Sequence, residues 1–160
     1  MAEYLRQHVG IMWADDYKFL PFIKKKLDQF QIAQYVEQGY KYNKSFNCQL
    51  YENSTMPHWT KALSGIFGLF QQEFSFFKIT TLDVQPPIVL SINKYCVKYE
   101  SAKSDVYHSI LMLESWKPGQ YLEIDGEAIV NWVQGDWYQW KADKTFAYSN
   151  VGTDPWFCCK

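Results

Sequence analysis

Residues 114–154 constrain the possible folds more than any other part of this sequence. Apolar and polar side chains alternate there in short segments, and turn signals separate the segments. Pro118 and Gly119 fit the centre of a type II turn, and Asp125-Gly126 is typical of a tight hairpin. Alternation with a period of two, interrupted at close spacing by turns, predicts short antiparallel strands of a small β-barrel.

The first half of the chain has a different period. Residues 19–38 and 56–74 place apolar side chains at helical spacing and predict two helices. Residues 40–52 alternate weakly, which fits either an edge strand or a loop. From residue 76 onward the period becomes two, and Pro86-Pro87 are expected to end the first strand, because proline cannot donate to a β-ladder.

We therefore predict one domain of 160 residues, α+β in class but mainly β. Residues 1–75 would form a helical lead-in and cover, and residues 76–160 would form a jelly-roll barrel. Asp125 and Asp136 adjoin glycines, so we interpret both as turn residues.

Charge and targeting signals narrow the classes of partner. The net charge of −1 offers no electrostatic footprint for nucleic acid or for an anionic membrane. We see no apolar run of about 18 residues and no signal-peptide pattern, and therefore expect an intracellular (host cytoplasm) or virion location.

Cysteine spacing fits a reducing compartment. Cys48, Cys96, Cys158 and Cys159 form no C-x-x-C motif. Cys158 and Cys159 are adjacent, so on a strand they should point to opposite faces.

Aromatic residues make up 19% of the chain, which is more than a core alone needs. Some of them would form an exposed surface of the kind found at interfaces. We name Trp59, Trp137 and Trp140 as candidate interface residues. Strand alternation equally allows Trp132 or Trp137 to point into the core.

Several motifs resemble the C-terminal half of iron(II)- and 2-oxoglutarate-dependent oxygenases, above all a hydroxylase-like group of marine bacteria and their phages. They are WKPGQYLEIDG at 116–126, VNW at 130–132, GDW at 135–137 and NVGTDP at 150–155. The resemblance extends over residues 79–157. It implies a double-stranded β-helix, in which a His-x-Asp pair and a later His hold iron, and an Arg binds 2-oxoglutarate.

The residues that this resemblance would place at the iron site are all different here. The His and Asp positions fall on Val89 and Ser91, and the later His position falls on Phe146. Trp156 stands where the 2-oxoglutarate Arg is expected. The resemblance therefore implies a barrel without its metal ligands, in which large side chains fill the old pocket.

Three functions remain open. The first is a non-catalytic oxygenase-like domain (a pseudoenzyme) that binds a protein partner or its own copies, as a virion or host-interaction protein of phage origin, with no cofactor. The second is an active hydroxylase with atypical ligands, in which His108 helps to bind iron(II) beside 2-oxoglutarate. The third is a metal-free module that binds a small ligand in a pocket containing His108 and Tyr121.

Overall fold

A computed structural model describes residues 4–10, 15–24, 29–41, 49–51, 59, 75–89 and 107–159 of the chain. These residues form two antiparallel sheets, one short α-helix and one 3-10 helix, which confirms the predicted mainly β class. Among them, no helix is long and apolar enough to cross a membrane.

The elements follow one another in this order: β1 Leu5–His8, a 3-10 helix Asp15–Phe19, β2 Ile23–Lys24, α1 Gln29–Glu37, β3 Gln49–Tyr51, β4 Phe76–Ile79, β5 Val84–Val89, β6 Tyr107–Met112, β7 Gln120–Ile124, β8 Glu127–Ile129, β9 Asp136–Lys141, β10 Thr145–Asn150 and β11 Trp156–Cys159.

From β4 onward the chain passes repeatedly between the two sheets. The larger sheet has the strand order β1-β9-β6-β11-β4-β3-β2, and the smaller has the order β5-β10-β7-β8. Strands β4, β6, β9 and β11 therefore belong to the large sheet, and β5, β7, β8 and β10 to the small one. This alternation places the two sheets face to face, with β10 paired to both β5 and β7.

Two apolar layers lie on the two faces of the large sheet. The inner layer fills the space between the sheets and includes Ile110, Met112 and Cys158. The outer layer includes Leu111, Phe157 and Cys159, against which Leu20, Phe22 and Trp59 pack from the N-terminal part of the chain. Consecutive residues of β6 and β11 thus enter opposite layers, because side chains alternate across a strand. The prediction that Cys158 and Cys159 point to opposite faces is confirmed.

The predicted turns are also confirmed. Gly119 has φ 93°, and the Gln120 amide donates to the Lys117 carbonyl at 3.2 Å, as a type II turn requires. Asp125 and Gly126 both have positive φ, 52° and 80°, as expected for the two-residue turn that joins β7 to β8.

Two local predictions were wrong, namely the extent of the first helix and the end of the first strand at Pro86-Pro87. Of the described residues in the helix predicted over 19–38, Gln29–Glu37 form α1, whereas Ile23–Lys24 pair with β3. Pro21 explains part of this difference, because a proline disfavours helical geometry in the residue before it. The predicted helix over 56–74 lies outside the described residues, apart from Trp59.

Pro86 and Pro87 do not end their strand. Strand β5 runs through both of them as an edge strand. Its register against β10 shifts between Phe146 and Tyr148. Edge strands and bulges are the places in a sheet that tolerate proline, because no ladder hydrogen bond from its nitrogen is needed there.

Candidate functional site

A continuous row of aromatic rings fills the space between the two sheets, and we call it the aromatic ladder. It consists of Trp132, Trp156, Tyr148, Phe146, Trp140 and His108. Its members come from β6, β9, β10 and β11 and from the loop before β9. The alternation of these strands sends the rings into the same interior layer.

The rings of the ladder contact one another in sequence. Trp132 stacks on Trp156 with ring centroids 4.8 Å apart, and Trp156 meets Tyr148 edge to face at 6.4 Å. Tyr148 meets Phe146 at 5.9 Å, and Phe146 stacks on Trp140 at 4.9 Å and 8°. These are the offset-stacked and edge-to-face arrangements that aromatic pairs favour.

The ladder is sealed from solvent over most of its length. Phe146 is 3% exposed, and Trp132, Trp140 and Trp156 are each 1% exposed. The indole N–H groups of these three tryptophans are buried and have no hydrogen-bond partner among the described residues. A buried donor without a partner costs about 1–3 kcal/mol, so packing of the rings must outweigh this cost for the interior to be stable.

The positions that the oxygenase resemblance assigns to iron and 2-oxoglutarate lie in or beside this ladder. Phe146 on β10 stands opposite Ile88 on one side and Ile124 on the other. Trp156 stands opposite Ile79. Val89 is the last residue of β5, opposite Thr145, and Ser91 lies outside the described residues.

These side chains do not fit an iron centre. Phe146 and Trp156 are apolar rings with neighbours in van der Waals contact, and neither offers a ligand atom of the kind that iron(II) prefers. Within the described ranges, no three His, Cys, Asp or Glu side chains come close enough together to hold a metal ion.

His108 lies at one end of the ladder, half-buried, with its ring centroid 5.8 Å from that of Trp140. Tyr121, the other predicted pocket residue, is elsewhere. It alternates with the buried residues of β7, and its hydroxyl donates to Glu123 at 2.6 Å on the outward face. This hydrogen bond, and to a smaller extent burial, raises the pKa of Tyr121. The structure therefore does not bring His108 and Tyr121 together in one pocket.

The predicted interface tryptophans are mostly interior. Trp137 is 4% exposed and belongs to the outer apolar layer, whereas Trp140 belongs to the ladder. Neither can serve as an exposed anchor, because both side chains are buried, on opposite faces of β9. Trp59 is half-buried, and its indole nitrogen donates to Asp16 at 2.9 Å.

A polar site that sequence reasoning missed surrounds Asp136. Its carboxylate, 3% exposed, accepts hydrogen bonds from Arg6 at 2.8 Å and from the Val133 amide at 3.1 Å, and it lies 3.0 Å from His8 Nδ1. Burial alone would raise the pKa of Asp136, but these hydrogen bonds together outweigh it and lower that pKa. The prediction that Asp136 is a turn residue is confirmed, because its amide donates to the Val133 carbonyl at 3.0 Å and closes the turn at 133–136. Asp136 is in addition a pairing centre for Arg6 and His8. Its side-chain partners Arg6 and His8 are 130 and 128 positions away, where no local pattern points to them.

The same contacts hold strand β1 against β9. All four residues of β1 are exposed, and Leu5 is 48% exposed. Beside the start of β1 lies an open groove of about 420 Å³, lined by Tyr4, Leu5, Tyr107, Gln139, Trp140 and Lys141. The groove and the exposed strand are adjacent, so together they form one surface.

Comparison of the chain with protein-family models, with curated protein sequences and with solved structures finds no match. Its function is therefore inferred from its own residues and their geometry.

Proposed function

We propose that β4–β11 form a jelly-roll barrel of the double-stranded β-helix type, and that this barrel serves as a non-catalytic scaffold for protein contacts. In this proposal the chain keeps the architecture of an iron(II)- and 2-oxoglutarate-dependent oxygenase and lacks its chemistry. A phage origin, as a virion or host-interaction protein, belongs to the same proposal through the resemblance of its motifs.

The strand order supports the architectural part. Successive strands from β4 to β11 alternate between the sheets, except for the β7–β8 hairpin, which stays within one. Within β4–β11 the two sheets have the orders β9-β6-β11-β4 and β5-β10-β7-β8, so neighbouring strands are distant in sequence apart from β7 and β8, as in two interleaved Greek keys.

One observation carries the functional part: the interior at the expected ligand positions is filled by stacked rings. A metal pocket needs at least one open coordination position for substrate, whereas Phe146 stacks on Trp140 at 4.9 Å and Trp156 on Trp132 at 4.8 Å. If the ancestral site lost its ligands, large side chains would be favoured there, because a cavity costs roughly 24 cal/mol for every Å³ left empty. With the interior occupied, contacts with other molecules must be made by the outside of the barrel.

The proposal is tested by metal and cosubstrate binding to the purified chain without oxygen. Iron(II) or manganese(II) would be titrated by calorimetry, first alone and then with 2-oxoglutarate, and the metal content would be measured by elemental analysis. We expect neither stoichiometric metal nor a 2-oxoglutarate isotherm.

The His108→Ala variant is the matched control. Metal bound in a one-to-one ratio by the wild type and lost in His108→Ala would establish the active hydroxylase with atypical ligands. Binding of 2-oxoglutarate without metal would establish the small-ligand module. Either result would overturn the scaffold proposal.

A further inference from the structure

Strand β1 lies where the edges of the two sheets approach each other. It is the outermost strand of the large sheet, beyond β9, and β8 is the outermost strand of the small sheet. The hydroxyl of Tyr4, the residue before β1, donates to the Glu127 carboxylate on β8 at 3.2 Å. The Tyr4 ring also packs against the interior layer and meets Tyr138 edge to face at 5.9 Å. Tyr4 and β1 therefore close this side of the space between the sheets.

Polar contacts anchor one face of β1. Tyr4, Arg6 and His8 share this face, because side chains alternate along a strand. Arg6 donates to Asp136 at 2.8 Å, and His8 Nδ1 lies 3.0 Å from the same carboxylate. All four residues of β1 are nonetheless exposed, and Arg6 and His8 expose 58% and 55% of their side chains. The strand therefore buries little apolar surface against β9 and depends on a few polar contacts at its surface.

The chain is fixed much more firmly directly after β1. Val9 is 4% exposed and belongs to the outer apolar layer. Its amide donates to the Gly135 carbonyl at 2.7 Å, and a Cβ on Gly135 would lie 2.5 Å from the Val9 carbonyl oxygen. The two backbones can approach this closely because Gly135 has no side chain. A motion that lifts β1 would therefore pivot at Val9.

Behind this segment lies the end of the aromatic ladder that contains Trp140. The register of β1 on β9, continued by one residue, places Tyr4 opposite Trp140, and both residues line the groove beside β1. Trp140 is 1% exposed, and its indole N–H has no hydrogen-bond partner among the described residues. Trp132 and Trp156 carry buried indole N–H groups of the same kind. Of these three tryptophans, Trp140 is the one on the strand that pairs with β1.

We infer that β1 is a strap that detaches from β9 while the rest of the barrel stays folded. It pivots at Val9 when the Tyr4 hydroxyl leaves Glu127 and when Arg6 and His8 leave Asp136. Elements with few buried apolar contacts open at a lower free energy than the whole domain does. Detachment uncovers the edge of β9 and the Trp140 end of the ladder, so the strap controls access from solvent to the interior on this side of the barrel.

Hydrogen exchange of the full wild-type chain tests the strap without any variant. Amide exchange would be followed at increasing urea concentrations below the unfolding transition, and indole N–H exchange by NMR of tryptophan-labelled protein. We expect the β1 amides to lose protection at lower urea than the Val9 amide and the amides of β6 and β11. The Trp140 indole N–H should exchange in step with β1, and at least about tenfold faster than those of Trp132 and Trp156, which corresponds to about 1.4 kcal/mol.

Matched variants test which contacts hold the strap. Tyr4→Phe keeps the ring on Tyr138 and loses the hydroxyl that reaches Glu127. Arg6→Ala loses a contact with Asp136, whereas Gln7→Ala changes an exposed side chain on the opposite face of β1. Loss of one hydrogen bond should speed exchange of β1 and of the Trp140 indole by about three- to tenfold in Tyr4→Phe and Arg6→Ala, and Gln7→Ala should stay within about twofold of the wild type.

Three results would overturn the inference. If β1 has the same protection and the same urea dependence as β6 and β11, it opens only when the whole chain unfolds. If the Trp140 indole exchanges as slowly as those of Trp132 and Trp156 while β1 opens, the strap does not control access to the ladder. Equal effects of Arg6→Ala and Gln7→Ala would mean that the polar face does not hold β1. Metal and 2-oxoglutarate binding enter none of these measurements, so the scaffold proposal is tested separately.

Discussion

Replacing Phe146 by His restores the ligand type that the oxygenase resemblance places there, and we predict that it destabilises the chain without creating a metal site. Phe146 is 3% exposed and lies between Trp140 and Tyr148. An imidazole in its place would bury two ring nitrogens among apolar groups, at about 1–3 kcal/mol for each atom left without a partner. Weaker stacking on Trp140 adds part of an aromatic pair energy of about 0.5–1.5 kcal/mol.

These contributions give a loss of about 2–7 kcal/mol in the free energy of unfolding, a large part of the roughly 5–15 kcal/mol typical of a domain. The loss should grow in acid. Burial in an apolar site would depress the pKa of the new imidazole below its ordinary value of about 6.5, so only the unfolded chain would bind a proton as the pH falls below that value. The decrease in the free energy of unfolding from pH 7.5 to pH 5.5 should therefore be larger for Phe146→His than for the wild type.

Urea unfolding followed by tryptophan fluorescence at both pH values measures these effects. Phe146→Leu is the control, since an apolar replacement should cost about 1.5 kcal/mol or less and add no pH dependence. The argument is refuted if Phe146→His is as stable as the wild type, or if iron(II) or manganese(II) stabilises Phe146→His and not Phe146→Leu. Selective stabilisation would mean that the metal binds the folded variant, and hence that the interior is not filled.

Two further predictions concern polar and backbone features. Hydrogen bonds lower the pKa of Asp136 in the folded chain, so the contribution of this carboxylate to stability should be present above a pH of about 4 and be lost as the pH falls further. The Asp136→Asn variant should lack that part of the acid dependence in urea titrations. An acid profile equal to that of the wild type would contradict this prediction. Gly119→Ala should lower the melting temperature far more than Gly126→Ala: both have positive φ, but a Cβ on Gly119 would lie 2.3 Å from the Gly152 nitrogen, whereas one on Gly126 meets nothing within 4 Å. Equal losses, each about 1 kcal/mol from backbone conformation alone, would show that the close approach of Gly119 and Gly152 is not rigid.

Local signals in the sequence were sufficient for the turns and for most strands of the second half. Asp125-Gly126 predicts its hairpin because few other residue pairs adopt positive φ at both positions. The strand through Pro86 and Pro87 was missed because the rule against proline applies to central strands, and nothing local to these residues marks β5 as an edge.

The site was only partly predictable. Alternation places Trp137 and Trp140 on opposite faces of β9, but it does not reveal that both side chains are buried, since the layer that contains Trp137 is covered by the N-terminal part of the chain. The resemblance assigned Phe146 to an iron-ligand position and Trp156 to the position of the 2-oxoglutarate Arg, and both side chains lie in the aromatic ladder. The stacking of Trp132 on Trp156 and the pairing of Arg6 with Asp136 join distant parts of the chain, and such contacts depend on tertiary structure that no local pattern encodes.

The adjacent thiols of β11 give the two apolar layers separate chemical reporters. Cys158 belongs to the layer between the sheets and Cys159 to the layer under the N-terminal cover, and both are buried. Burial raises the pKa of Cys159 well above its usual range, so this thiol becomes reactive only when its own layer opens. Alkylation of the two thiols over time thus distinguishes lifting of the cover from separation of the sheets, and shows whether one of these openings can occur without the other.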